Sequence, residues 1–531
     1  MKQKNTKLYL ILLLAFLLRF AGVWWGELYN PVHNYFEPDE HQHLSLAIET
    51  MQIFDATLFE DFKPNRLNTQ GFSTQLGFIG AIVLPFFDSD YRILLILGRL
   101  LSLTYGVLLV WLTYKIGILL FKKEHVALLA ALFLSIFDLH ITYSHYGVPE
   151  IFHVFWAYCA VYLMVIFWKG SKPFLFEEGK EMSKFDIKKY FNLILFSFAF
   201  CLAAKFDFIP ILIFGLMSIW ALRDRLFALI KLGLATLFLT TLYFELAICF
   251  QNETLINSFK WLLEENRNLI GNDNHLVINP FLYLIGGICG TSLIVFGSMV
   301  FGLFQKMKRI YLKMLSKPFS FSPALVFTVF VLFEFLVLWN LDAPFVRRIN
   351  IFLPYIALFA SFGIYNAFAN KTKRKWAIGI TILYTFSLTI VSQFNFIQDT
   401  RYQARDFVQN HVNQAAKIYY CPYSKMKGMP KGVSEIENAD LLVIHESNYR
   451  RYWKSFTTPF VVPECCEGVY HCKSEAECLK YQKVLSGKSE FELVKKIEPV
   501  EYFPERIIYK RYFGTYETFL GDVLIYQQRP Q

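Results

Sequence analysis

The chain has 531 residues, 55% of them hydrophobic and 18% charged, with 56 Phe and a net charge of +10. Soluble domains carry about 25% charged residues and disordered chains are poor in aromatics, so an ordinary cytosolic enzyme, a disordered chain and a collagen-like fibre are excluded. A polytopic helical membrane protein remains. Its positive charge belongs first to basic loops that orient the spans, with no nucleic-acid partner implied.

Apolar runs fall at 8–25, 92–121, 126–141, 150–168, 190–204, 206–222, 226–250, 279–304, 321–341, 348–369 and 376–397. A span takes about 20 residues, so the pattern predicts an all-α polytopic membrane protein with about 11 transmembrane helices. A twelfth run, 72–87, is short and interrupted by Gly77, Gly80 and Pro85. If it does not span and the N-terminus is cytoplasmic, the inside segments hold 22 Lys and Arg and the outside segments before 398 hold seven. If it spans, 19 of the 22 change sides, so the positive-inside bias makes 72–87 a membrane-dipping or interfacial segment. No signal-peptide cleavage site follows the first run, which is expected to stay as an anchor.

Beyond 397 the chain turns polar, with alternating stretches at 417–420, 440–445, 491–497 and 521–526 and helical stretches around 401–411 and 474–486. Residues 398–531 therefore read as a small C-terminal α/β domain, and 1–397 as the membrane domain. Eleven spans from a cytoplasmic start put the C-terminal domain outside. Five of the nine Cys lie there: Cys421, Cys465, Cys466, Cys472 and Cys478. The last four lack paired C-x-x-C spacing, which favours one or two disulfides over zinc in an oxidising compartment.

The first outer segment, 26–91, holds ten Asp and Glu but only two cations, Lys63 and Arg66. At its centre, Pro38-Asp39-Glu40-His41-Gln42-His43 leads into Leu44, Ala47, Ile48 and Met51, an amphipathic helix expected to lie along the membrane surface. Asp39 and Glu40 stand where acids offset a helix macrodipole. They also stand four and three residues before His43, so either carboxylate shares a face with an imidazole. That pairing suits a base, a proton relay or a divalent-metal site at Glu40 and His43. A second outer turn, His140 to Glu150, places His145 and Glu150 on the same side. The scarce outer cations Lys205, Arg347 and Arg348 either snorkel to headgroups or bind a lipid-linked phosphate. Arg19 and Arg99 lie deeper and need partners inside the protein, for which Glu245 and Glu334 are candidates.

These residues resemble glycosyltransferase family 39, the dolichyl-phosphate-mannose–protein mannosyltransferase-like enzymes of the C-type glycosyltransferase fold. The resemblance rests on Leu17-Leu18-Arg19, Pro38-Asp39-Glu40, Gly98-Arg99-Leu100-Leu101-Ser102, Ser144 to Glu150, Leu202 to Phe206 and Arg347 to Pro354, in that order and on a common side. The Pro-Asp-Glu-His-x-His string is also similar to mannosyltransferases of glycolipid-anchor assembly. The resemblance implies Asp39 as catalytic base with Glu40 supporting the site or a metal. Glu150 stands where Asp is usual in the second acidic motif. Lys205, Arg347 and Arg348 match regions that handle the lipid phosphate, and His43 and His145 join them on the substrate side. The implied activity is inverting transfer of a mannose-like hexose at the outer face of a prokaryotic plasma membrane. The donor is a polyprenyl-phosphate sugar and the acceptor a hydroxyl of a glycan, lipid or protein; a divalent cation (Mg or Mn) is the one cofactor the pattern leaves room for. The alternative is a transporter or flippase for a lipid-linked or anionic substrate, which the intramembrane Arg and Glu favour and the clustering of acids outside the spans disfavours.

Overall fold

The computed structural model describes residues 3–25, 39–52, 71–87, 90–171, a few positions between 190 and 200, 275–316, 322–339, most of 346–446, 475–513 and 521–529. The expected spans at 206–222 and 226–250, and most of 190–204, lie outside these residues. The chain divides into two compact units. The first comprises Met1–Val23, Asp39–Pro280 and Gly290–Phe386, the second Trp24–Pro38, Phe281–Cys289 and Ser387–Gln531.

Helix α1 runs Gln3–Phe20, α2 Asp39–Gln52 and α3 Gly71–Val83, the last continued by a 3-10 turn, Leu84–Phe87, that contains Pro85. The apolar residues of α2 do not meet lipid. Leu44, Ala47, Ile48 and Met51 are all buried, and α2 packs on α3, where Gly77 and Gly80 leave room for Ala47, Thr50 and Met51. The apolar face read from the sequence is therefore covered by α3. Amphipathic spacing shows that one face is covered, and here the cover is protein.

Helix α4 runs Tyr91–Phe121. The Asp90 carboxylate caps it, accepting from Arg92 N at 2.9 Å, and Arg92 holds that carboxyl below its ordinary pKa. Lys122 ends it in the left-handed region, with φ at 55°. Helices α5 (Glu124–Ile136) and α6 (Asp138–His145) meet at an extended Phe137 with a 56° bend. The run at 126–141 is therefore two helices. Helix α7, Glu150–Ser171, follows Pro149, whose carbonyl accepts from His153 N at 2.8 Å.

Helices α8 (His275–Thr291) and α9 (Leu293–Ser316) turn through 115°, so 279–304 is not one straight crossing. The corner is built by Ser292, whose hydroxyl accepts from Val295 N (3.3 Å) as an N-cap and bonds Thr385 Oγ1 (3.0 Å). Helix α10 runs Pro323–Trp339. A 3-10 segment, Val346–Phe352, leads into α11, Leu353–Ala367, and α12 spans Lys371–Ile397. Among the described residues, four helices are long and apolar enough to cross a membrane, or up to six with the bent pairs counted. Helices α9 and α11 touch backbone to backbone: a Cβ on Gly363 would run into Ser298 O, and one on Gly302 into Phe359 O.

In the second unit, α13 (Thr400–His411) precedes a five-stranded sheet of order β2-β1-β3-β5-β4. The strands are β1 Ile418–Tyr420, β2 Gly432–Val433, β3 Leu441–His445, β4 Phe491–Ile497 and β5 Val523–Gln528, with α14 (Glu475–Leu485) and α15 (Pro504–Phe513) between. The first three are mutually parallel and β5 runs antiparallel to β3 and β4. Strand alternation sends Leu442, Ile444 and Tyr526 against Tyr481 and Val484 of α14, and Leu441, Val443 and Ile525 against Ala404 and Val408 of α13. Cys421 is a buried thiol whose Sγ accepts from His445 N at 3.1 Å. Cys465, Cys466, Cys472 and the Cys478 side chain lie outside the described residues.

Gly363→Ala is expected to destabilise the folded protein by roughly 1–3 kcal/mol or more, because backbone rather than a mobile side chain stands in the way. Gly379→Ala, whose Cβ enters open space on α12, should be neutral or stabilising by about 0.5–1 kcal/mol. Thermal melts of the two purified variants followed by size-exclusion chromatography measure the difference.

Candidate active site

The acid-rich loops are organised by one buried ion pair. Glu40, the second residue of α2, and Arg99, in the third turn of α4, are 0% and 2% exposed. The Arg99 Nε and Nη2 donate to the two carboxylate oxygens at 2.9 Å each, and Nη1 donates to Val23 O at 3.0 Å. Gly147 N also donates to Glu40 Oε1, at 2.8 Å. A carboxylate out of water must have its lone pairs satisfied, and a planar guanidinium plus a backbone N–H does so. The backbones of Gly98 and Gly147 lie side by side here, and a Cβ on Gly98 would be in ordinary contact with Gly147 Cα, at 3.6 Å. Ser102 Oγ donates to Val148 O at 3.1 Å, fastening the turn before α7 to α4.

Arg19 is buried as completely and uses no carboxylate. It donates to Ala15 O (2.9 Å), Ser135 O (3.1 Å), Leu134 O (3.3 Å) and Ser144 Oγ (3.3 Å), and touches His140 Nδ1. Leu134 and Ser135 lie at the C-terminal end of α5, where the break at Phe137 removes the helical donors their carbonyls would otherwise receive. Arg19 supplies them. The expected pairing of Arg19 and Arg99 with Glu245 or Glu334 is thus replaced: Arg99 takes Glu40, and Arg19 takes helix-end carbonyls. Glu245 lies outside the described residues.

Glu150 opens α7 and is buried; Arg347, in the 3-10 segment 346–352, approaches its Oε1 with Nε at 3.8 Å. The segment is held by Tyr158 OH, which donates to Ile351 O at 2.8 Å, and by Asn350 Nδ2, which donates to Arg347 O at 2.9 Å. Arg348 is half-buried beside it. The structure thus joins Glu150 and Arg347, which sequence spacing leaves 197 residues apart. His43 is buried and bonds Ser73 Oγ through Nδ1 at 3.2 Å, with its ring edge-on to Phe72. His145 is buried against Gly22, and its Nε2 donates to Leu18 O at 3.2 Å. Both imidazoles thus hold helices together. Asp39 is the first residue of α2; its side chain and Lys205 lie outside the described residues.

A divalent cation does not fit at Glu40 and His43. The Glu40 oxygens are filled by Arg99 and Gly147, and the guanidinium would repel a cation there. Among the described residues, no three His, Cys, Asp or Glu side chains stand close enough to share a metal ion.

A family profile described as dolichyl-phosphate-mannose-protein mannosyltransferase matches residues 95–255, a stretch that contains Arg99, Glu150 and Lys205. The apo oligosaccharyltransferase of Archaeoglobus fulgidus superposes with a TM-score of 0.50 at 12% identity, covering 99% of this chain and 89% of that one. The chain has the C-type glycosyltransferase fold and resembles family 39. Two further C-type structures are similar. Archaeoglobus fulgidus AglB, in complex with an inhibitory peptide and a dolichol-phosphate, is 12% identical with a TM-score of 0.49, covering 81% of this chain and 60% of its own. ArnT from Cupriavidus metallidurans, bound to undecaprenyl phosphate, is 14% identical with a TM-score of 0.47, covering 77% and 73%. The chain thus spans about three-fifths of the AglB chain. Among curated protein sequences, none matches.

Removing one partner of a buried ion pair strands the other. Arg99→Ala and Glu40→Ala should each destabilise the protein by about 3–5 kcal/mol, while Glu40→Leu combined with Arg99→Leu recovers part of the loss. Melting temperatures of the four proteins in one detergent check this; equal values for wild type and single variants would remove the pair from its structural role.

Proposed function

We propose that the protein is an inverting glycosyltransferase. It moves a mannose-like hexose from a polyprenyl-phosphate donor to the hydroxyl of a glycan, lipid or protein at the outer face of a prokaryotic plasma membrane. The supporting comparison is the match of residues 95–255 to the dolichyl-phosphate-mannose-dependent family. In this reading residues 1–397 carry the transfer and 398–531 stand outside the membrane.

The observation that carries the assignment of roles is the buried pairing of Glu40 with Arg99. Its two oxygens accept from Arg99 and Gly147, so Glu40 is a positioning residue and the base role falls to Asp39, its neighbour on the first turn of α2. Arg99 holds α2 by its N-terminus, which sets where Asp39 stands. Asp39 takes the proton of the acceptor hydroxyl, whose oxygen attacks the anomeric carbon. The bond from that carbon to the phosphate oxygen breaks with its electron pair leaving on the phosphate, and one displacement inverts the anomeric centre. Arg347 and Arg348, with Lys205, stabilise the departing lipid phosphate, and Glu150 keeps Arg347 oriented until phosphate competes for it.

Purified Asp39→Asn protein, supplied with a radiolabelled polyprenyl-phosphate hexose and acceptor, is expected to lose transfer at least 100-fold with unchanged expression and melting temperature, in line with the loss of a general base. Turnover near wild type would overturn Asp39 as base. Movement of intact donor lipid across the bilayer without sugar release would favour the flippase instead.

A further inference from the structure

At the other end of the helices from Glu150 and Arg347, a second charged surface is assembled. Along α4, Arg99 and Lys122 are 23 residues apart, about 34 Å at 1.5 Å per residue, so the two surfaces sit at opposite ends of one long helix. Here the end of α4, the start of α5, the last turns of α9 and α11 and the first turn of α12 come together. Over 115–125, 305–313 and 365–375 the sequence holds eleven Lys and Arg and one acid, Glu124.

Basic loops and helix-end dipoles explain why cations gather at such an end. They do not explain the side-chain arrangement, in which the cations converge on a floor of aromatic rings. Arg374 stacks on Tyr365 with its guanidinium carbon 4.1 Å from the ring centre; Lys123 Nζ lies 5.1 Å from the same ring and the His125 ring 4.2 Å. Next to it, Phe121 and Phe362 stack at 4.7 Å, with Lys306 Nζ 5.5 and 5.7 Å from them and the Arg309 guanidinium 5.5 Å from Phe362. A ring face attracts a cation without cancelling its charge. Lys123 and Arg309 are exposed and Arg374 is half-buried, so their N–H donors are held close together with net charge intact. On the same helices, further toward the middle, Phe304 of α9 and Trp376 and Ile380 of α12 are exposed apolar side chains. A tryptophan at that level marks a hydrocarbon–water boundary.

We propose that this cluster binds the phosphate headgroup of an anionic membrane phospholipid, with Lys123, Arg309 and Arg374 contacting the phosphate and the acyl chains lying along the exposed apolar faces below. Convergent cations between helices, at the boundary and beside lipid-facing rings, meet the requirements for a lipid phosphate. The site is separate from the proposed transfer chemistry and does not rest on it.

The test titrates the purified full chain in detergent with phosphatidylglycerol, phosphatidylcholine or inorganic phosphate and counts bound molecules by native mass spectrometry. Phosphatidylglycerol is expected to be retained, and phosphatidylcholine and free phosphate are not. Lys123→Gln with Arg374→Gln should weaken retention about fivefold per cation removed, whereas Lys431→Gln with Lys488→Gln, in the second unit, should leave it unchanged. Tyr365→Leu and Arg374→Lys keep every charge but lose the stack, and each should weaken retention, which keeps the proposal testable if the double variant misfolds. Equal phosphatidylglycerol binding by wild type and these variants, or equal binding of phosphatidylcholine, overturns the proposal. Displacement of the lipid by inorganic phosphate at equal concentration would assign the surface to free phosphate and overturn the lipid assignment.

Discussion

The Glu40–Arg99 pair is the constraint around which the first unit is arranged. It draws α2, α4 and the turn before α7 to one point and does so out of water, where an uncompensated charge is costly enough that both partners must remain. Only arginine suits this place. Its fork meets both carboxylate oxygens while the remaining nitrogen reaches Val23 O, whereas a lysine would offer a point charge and leave one oxygen under-satisfied.

Arg19 shows the same residue type solving a different problem. A helix broken inside a low-dielectric region exposes carbonyls that need donors, and water is not there to supply them. By reaching from α1 to Leu134 O and Ser135 O, Arg19 lets α5 end and α6 start at a new angle. That bend carries Ser144 to His145 back toward α1, where Gly22 is small enough to admit the His145 ring. The two buried arginines are therefore complementary: one joins segments through an acid, the other permits the change of direction that brings the turn before α7 toward α1.

Composition and charge placement made the membrane class legible, and the stretches at 440–445 and 491–497 coincide with β3 and β4, while β5 starts two residues after the stretch at 521–526. A short β-branched and aromatic run is local information, but the burial that follows is not, since β3 is buried along its whole length. The corner at Ser292 and the break at Phe137 were hidden in the hydropathy; the corner is capped by Ser292 itself and tied to Thr385, 93 residues away, and the break is satisfied by Arg19, 116 residues from Ser135. The Glu40–Arg99 pairing was illegible for the same reason. Sequence spacing tied Glu40 to His43, three residues on, whereas the partner stands 59 residues away and His43 turns to Ser73. The acids were visible; which of them was already spoken for was not.

That distinction decides how a site with several carboxylates divides its work. Of the two adjacent acids at the start of α2, Glu40 is taken out of water and needs a cation beside it. Arg99 supplies that charge and holds Glu40 still. At the start of α7 the arrangement is looser. Arg347 stands 3.8 Å from Glu150 with a quarter of its side chain exposed, a separation at which attraction persists but no hydrogen bond forms. The tight pair gives the loops a fixed frame, and the loose one leaves the Arg347 guanidinium partly at the surface.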